Sequence, residues 1–94
     1  MQLDIRHEPE RYRFVVEVEG TTSYVRYAIG PGTLDLLSTY VHPDVRGRFV
    51  GEKLVKRALE YARENGYEVI PTCWFVDTVV RRNPQYKELL VGRD

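Results

Sequence analysis

The strongest constraint on the fold is a change of hydrophobic period. Before Val41 apolar residues recur at every second position, and from Val50 they recur at every third or fourth, so a sheet region hands over to a helix across a short connection. That connection, Val41-His42-Pro43-Asp44-Val45-Arg46-Gly47-Arg48-Phe49-Val50-Gly51-Glu52-Lys53-Leu54, is glycine-bearing and basic at its centre. The first backbone N–H groups of a helix lack intrahelical partners and the helix dipole is positive there, so an anion such as phosphate gains hydrogen bonds and charge stabilisation together. Gly47 lets the backbone approach a ligand closely, and Arg46 and Arg48 add charge that can fork onto phosphate oxygens. A strand, a glycine turn and a helix also occur for packing alone. By itself the stretch names no ligand.

Either side of it the elements read in order. Tyr12, Phe14, Val16 and Val18 alternate with Arg13, Glu17 and Glu19, the pattern of a half-buried strand that ends at Gly20-Thr21. Ser23 to Ile29 forms its hairpin partner and stops at Gly30-Pro31-Gly32. Thr33 to Val41 is a third strand, with Leu34, Leu36, Ser38 and Tyr40 on one face and Asp35, Leu37, Thr39 and Val41 on the other; apolar residues on both faces suit a central strand. In the helix, Val50, Leu54, Ala58 and Ala62 line a stripe that Val55, Leu59 and Tyr61 widen, and Asn65-Gly66 stops it. Tyr67 to Cys73 is a short strand, parallel to the third because a helix separates them. Phe75 to Arg82 has helical spacing, and Pro84 opens a last short helix, Gln85 to Val91, that returns Tyr86, Leu89 and Leu90 to the core. The expected fold is α/β (α+β): an antiparallel three-strand meander, a crossover helix, a fourth strand parallel to the third and short C-terminal helices.

Ninety-four residues make one domain, spanning 1–94, with a single core. The 14 basic and 14 acidic side chains cancel, which excludes a sequence-independent grip on nucleic acid. Cys73 is the only cysteine, so an internal disulfide and a cysteine-cluster metal site are excluded, and no metal is expected. Met1 to Glu10 has no apolar run, so neither a signal peptide nor a membrane span is read, and a cytoplasmic location is the expectation.

In a strand–helix–strand crossover the carboxyl ends of both strands and the helix start share one sheet edge, where ligands of α/β proteins bind. Tyr40 and Val41 end one strand, Cys73 and Trp74 end the other, and Arg46 to Gly51 lie beside both. Three motifs now stand in order: Arg46-Gly47-Arg48-Phe49-Val50-Gly51 after a Val-x-Pro strand exit, Ile70-Pro71-Thr72-Cys73-Trp74-Phe75-Val76, and Arg82-Asn83-Pro84-Gln85-Tyr86. Together, over Arg13 to Leu90, they resemble the small single-domain branch of the GCN5-related N-acetyltransferases. The resemblance implies that acetyl-CoA is the ligand. The backbone of Arg46, Gly47, Arg48, Phe49, Val50 and Gly51 would wrap its pyrophosphate, and the pantetheine arm would enter between the separating strand ends beside Tyr40 and Val41. It also implies direct acetyl transfer to an amine of a small molecule or a protein lysine. Two positions depart from the family pattern. Phe49 stands where the turn usually has glycine and restricts close approach, and Ser38 stands where the branch often has a histidine, whose proton transfer a serine cannot replace at neutral pH.

The chemistry needs a donor to polarise the thioester carbonyl, which a backbone N–H near Tyr40 or Val41 can supply, and an acid and a base for the departing thiolate and the attacking amine. Cys73 is the first catalytic candidate, as a transient nucleophile or a polar wall, although a lone cysteine is most often a small hydrophobe. Tyr86 is the second, as proton donor to the thiolate, a part the resemblance suggests. His7 and His42 have no partner in sequence and read as surface residues. A non-catalytic acyl-CoA-binding module is the alternative function, and a cofactor-free interaction domain a third. The loops Gly30 to Thr33 and Trp74 to Asp77, which would form the acceptor pocket, carry no readable code.

Overall fold

The alternating runs of the N-terminal half form strands and the wider-period run forms a helix, as a computed structural model describing residues 3–92 shows. The strands are β1 (Arg6–Glu8), β2 (Arg13–Val18), β3 (Thr21–Gly30), β4 (Thr33–Tyr40) and β5 (Glu68–Ile70), and the helices are α1 (Val50–Asn65) and α2 (Trp74–Arg82). A 3₁₀ helix, Pro84–Leu89, follows α2 in place of the expected last helix from Gln85 to Val91. The sheet order is β1-β2-β3-β4-β5, antiparallel throughout except for the parallel β4–β5 pair. The meander, the crossover helix and the parallel strand are therefore all present.

β1 is an addition to the expected plan. It is three residues long, and its only inward side chain is polar: His7 stacks on Phe14 at 4.3 Å between ring centroids, and its Nε2 lies 2.5 Å from the Tyr27 hydroxyl. Apolar alternation therefore could not announce it. Tyr12 is not a strand residue; it is left-handed at φ 52° and closes the 3₁₀ turn Pro9–Arg11, so β2 begins at Arg13.

A bulge in β4 overturns the expected division of its faces. The register passes from Arg26↔Ser38 to Tyr27↔Leu36, leaving Leu37 without a partner. An unpaired residue shifts the in–out alternation by one position. Leu34, Leu36 and Thr39 thus share the face of Val25 and Tyr27, while Asp35, Ser38 and Tyr40 share the opposite face with Ala28, Arg26 and Tyr24.

The core lies between one face of the sheet and the two helices. Phe14, Val16, Val25, Leu34 and Leu36 pack against Leu54, Val55, Ala58 and Leu59 of α1 and Val76, Val79 and Val80 of α2. Each fully buried side chain of this kind contributes about 1.5–3 kcal/mol. β5 is shorter than the expected Tyr67 to Cys73, because Pro71 has no N–H for the ladder and Cys73 instead caps the start of α2. Among the described residues no helix is long and apolar enough to cross a membrane.

Candidate active site

The site begins where β4 and β5 part. Their ladder ends at Asp35↔Ile70, and the Cys73 N–H donates a last bond of 2.9 Å to the Leu36 carbonyl. Beyond it the bulge carries β4 away while the chain after Pro71 turns into α2. The gap is a cleft of about 520 Å³ bordered by Thr39, Tyr40 and Val41 on one side and Cys73, Trp74 and Phe75 on the other. The turn before α1 closes its end with Arg46, Gly47, Phe49, Val50, Gly51 and Glu52, and Arg82 reaches it from the end of α2.

The start of α1 leaves its first N–H groups without intrahelical partners. The first intrahelical bond runs from the Lys53 N–H to the Phe49 carbonyl at 3.1 Å, so the N–H groups of Val50, Gly51 and Glu52 precede it, and Phe49 supplies no side-chain cap. Gly47 has φ 84° with nothing within 4 Å of an added Cβ, so backbone conformation and not crowding within the protein selects glycine. Gly51 is different. A Cβ there would lie 3.0 Å from the Phe75 ring and 3.0 Å from Val41, so this glycine lets α1 begin hard against the end of β4.

Phe49 accounts for its own oddity. Its φ is 63°, the left-handed region where glycine is favoured, which costs a side-chain-bearing residue about 1–2 kcal/mol. Phe49 is 68% exposed and borders the cleft.

The basic residues separate. Arg46 borders the cleft and donates from Nε to the Val41 carbonyl at 3.0 Å, bracing the turn against the strand end. Arg48 does not border it; its guanidinium pairs with Glu19 of the β2–β3 turn, and that bond raises its pKa further.

Where the strands part, Cys73 Sγ lies 3.7 Å from Thr39 Oγ1. The Val76 N–H donates to the Cys73 carbonyl at 3.0 Å, so Cys73 stands at the start of α2. Tyr86 is not brought to the cleft. It is buried, its hydroxyl donates to Glu60 at 2.8 Å, and Arg63 lies 5.3 Å over its ring. Burial first, and then the Glu60 bond, raise its pKa, which makes it a reluctant proton donor.

Both histidines have partners that the sequence does not reveal. His42 accepts the Asp44 N–H on Nδ1 at 3.1 Å, and its backbone N–H donates to the buried Ser23 hydroxyl at 3.0 Å. His7 is half-buried against Phe14 and Tyr61, and its pKa is lowered by burial and then by Arg57. Ser38, the position that departs from the family pattern, accepts from Arg26 Nε at 3.2 Å on the face opposite Thr39.

Thr39, Glu52 and Arg82 border the cleft without having been candidates by sequence, and Phe75, from the stretch Trp74 to Asp77 expected as an acceptor loop, borders it from the first turn of α2. Thr39 is hidden by the bulge, and Glu52 and Arg82 carry the pattern of a solvated helix face. Among the described residues no three His, Cys, Asp or Glu side chains gather to hold a metal.

A family model for the GCN5-related N-acetyltransferases matches residues 11–89. The chain belongs to this family. Protein NATD1 of Danio rerio is 30% identical over 95 residues, covering 96% of this chain and 86% of the relative. Protein NATD1 of Homo sapiens is 32% identical over 91 residues, covering 92% and 80%. The NMR structure of a GCN5-like protein from Staphylococcus aureus superposes with a TM-score of 0.76 at 24% identity, covering 98% of this chain and 91% of that one, so the two share a fold. The five-strand sheet with its parallel β4–β5 pair and the helices packed on it match the fold of that neighbour.

Proposed function

We propose that the protein is an acetyl-CoA-dependent N-acetyltransferase that acts on an amine of a small molecule or a protein lysine. The observation that carries this reading is the parting of β4 and β5 onto the uncapped start of α1. The residues present fit a phosphate-bearing thioester: Arg46 and the N–H groups of Val50, Gly51 and Glu52 meet its diphosphate, and the open side of Gly47 leaves room for it. Acetyl-CoA supplies the activated acetyl thioester. Val41 and Phe75, which crowd Gly51, give the narrow part of the cleft apolar walls for the pantetheine arm. The backbone at Tyr40 and Val41, past the end of the β5 ladder, offers an N–H toward the thioester carbonyl, the interaction that gains most as charge develops on oxygen. Cys73 borders the reacting end as nucleophile or as polar wall.

A second reading, a non-catalytic acyl-CoA-binding module, is favoured by two observations. The Phe49 ring stands at the cleft mouth, and neither histidine borders the cleft. Calorimetry with CoA, paired with thiol release from acetyl-CoA over a panel of amines, separates the readings. The enzyme predicts saturable CoA binding that Gly47→Trp abolishes, amine-dependent thiol release, and a Cys73→Ala rate loss larger than any change in CoA affinity. Binding without turnover on any amine selects the module. Absence of CoA binding sinks both.

A further inference from the structure

Resting on the cofactor reading above, we propose that Glu52 and Arg82 form a charge latch at the phosphate end of the cleft, opened by donors that carry phosphate. Glu52 is the third residue of α1, in the first turn where an anion is stabilised by free N–H groups and the dipole. Its side chain is 20% exposed, and its carboxylate oxygens lie 3.2 Å from Lys56 Nζ and 3.5 Å from Arg82 Nη1. Arg82 ends α2, far away in sequence, yet both residues border the same cleft. A built-in carboxylate therefore stands in the first turn of the helix whose start faces an incoming diphosphate, and it holds one of the guanidinium groups that the diphosphate needs.

The pair is suited to exchange. The Arg82 contact is long and uses a single Nη, and the Arg82 side chain is 61% exposed, the circumstances in which an ion pair contributes little. A phosphate offers the same guanidinium a two-pronged, charge-assisted contact, which is stronger. When Arg82 turns to phosphate, Lys56 remains beside Glu52 to balance its charge. The consequence is selectivity for the carrier. A thioester of phosphorylated pantetheine, as in CoA, gains Arg82 and opens the latch, whereas a phosphate-free pantetheine thioester gains nothing from it. Glu52 also holds the affinity for the phosphorylated carrier below what Arg46 and the helix start would otherwise give.

The test is calorimetric titration of CoA and of phosphate-free pantetheine into the wild-type protein, Arg82→Gln, Glu52→Gln and the double variant, at one ionic strength. Arg82→Gln is expected to weaken CoA, and Glu52→Gln to tighten it, each by about threefold to fivefold, the scale of a partly exposed charge contact. Pantetheine affinity should not move in either. The gain from Glu52→Gln should shrink when Arg82 is already glutamine, because the two share one interaction. Tightening cannot arise from misfolding, so the Glu52→Gln arm guards against a trivial loss. CoA binding unchanged by Glu52→Gln, or weakened by it as by Arg82→Gln, overturns the latch and leaves the cofactor reading standing. Failure of wild-type protein and Phe49→Gly alike to bind CoA overturns both.

Discussion

The two ends of α1 are built on opposite principles. At its C-terminal end Tyr61 meets His7, Phe14 and Tyr27 in an aromatic cluster, Arg57 lies 5.0 Å over the Phe14 ring, and the Gly66 N–H donates to the carbonyls of Ala62 and Arg63. At its N-terminal end there is no side-chain cap, a left-handed Phe49 stands in for glycine, and Phe49 and Trp74 are exposed beside a cleft. One end satisfies itself within the chain. The other leaves N–H groups outside the intrahelical ladder and apolar surface exposed, and the same helix carries both. On the proposed cofactor reading, stability and binding are divided along one element, and substitutions at each end should register in different measurements.

The largest expected effect breaks the closed end. Phe14→Ala should cost about 3–5 kcal/mol in urea unfolding, since Phe14 is wholly buried between β1, α1 and its neighbours. A cost below about 1 kcal/mol would show that the cluster is not a centre of stability. Tyr86→Phe comes next. Losing the hydroxyl that donates to Glu60 should lower stability by about 1–2 kcal/mol and leave acetyl transfer unchanged. A fall in turnover without a fall in stability would instead return Tyr86 to the chemistry.

At the open end, Phe49→Gly relieves about 1–2 kcal/mol of left-handed strain and gives back about 0.4–1 kcal/mol of chain entropy to the unfolded state. The variant should therefore unfold at slightly higher urea and bind CoA more tightly. Weaker CoA binding would mean that the ring contacts the cofactor and does not obstruct it.

The smallest effect is a pH dependence. The folded-state pKa of His7 is lowered from its ordinary 6.5, so the unfolded chain takes up the proton first. The contribution of His7 to stability is complete above pH 6.5 and is lost as pH falls from there toward the folded value. Glu8 does not blur this window. Its carboxyl, held by Arg13, is lowered from 4.5, so its contribution is present above that pH and is lost only below it. His7→Phe should flatten the upper slope in urea titrations; an unaltered slope would place its origin elsewhere.

How much of this was legible in the sequence follows from what each signal measures. Periodicity reports local burial, and it located β2, β3, β4 and α1, the glycine turn and the crossover that aligns two strand ends with a helix start. Three linked motifs then sufficed for the family. Burial in β1, by contrast, falls on a histidine, and a strand whose inward residue is polar has no apolar period to read.

The chain by itself thus determined β2 to β4, the crossover helix, their order and the segments that meet at the cleft. Only the tertiary structure decided which side chains face it. The Leu37 bulge, a property of how β3 and β4 pair, put Thr39 beside Cys73 and turned Ser38 to the other face. Contacts between distant segments gave Arg48 to Glu19, Tyr86 to Glu60 and Arg82 to Glu52. A charge or hydroxyl that looks solvated along its own helix takes its role from whatever the fold sets opposite it, and neither spacing nor composition records that partner.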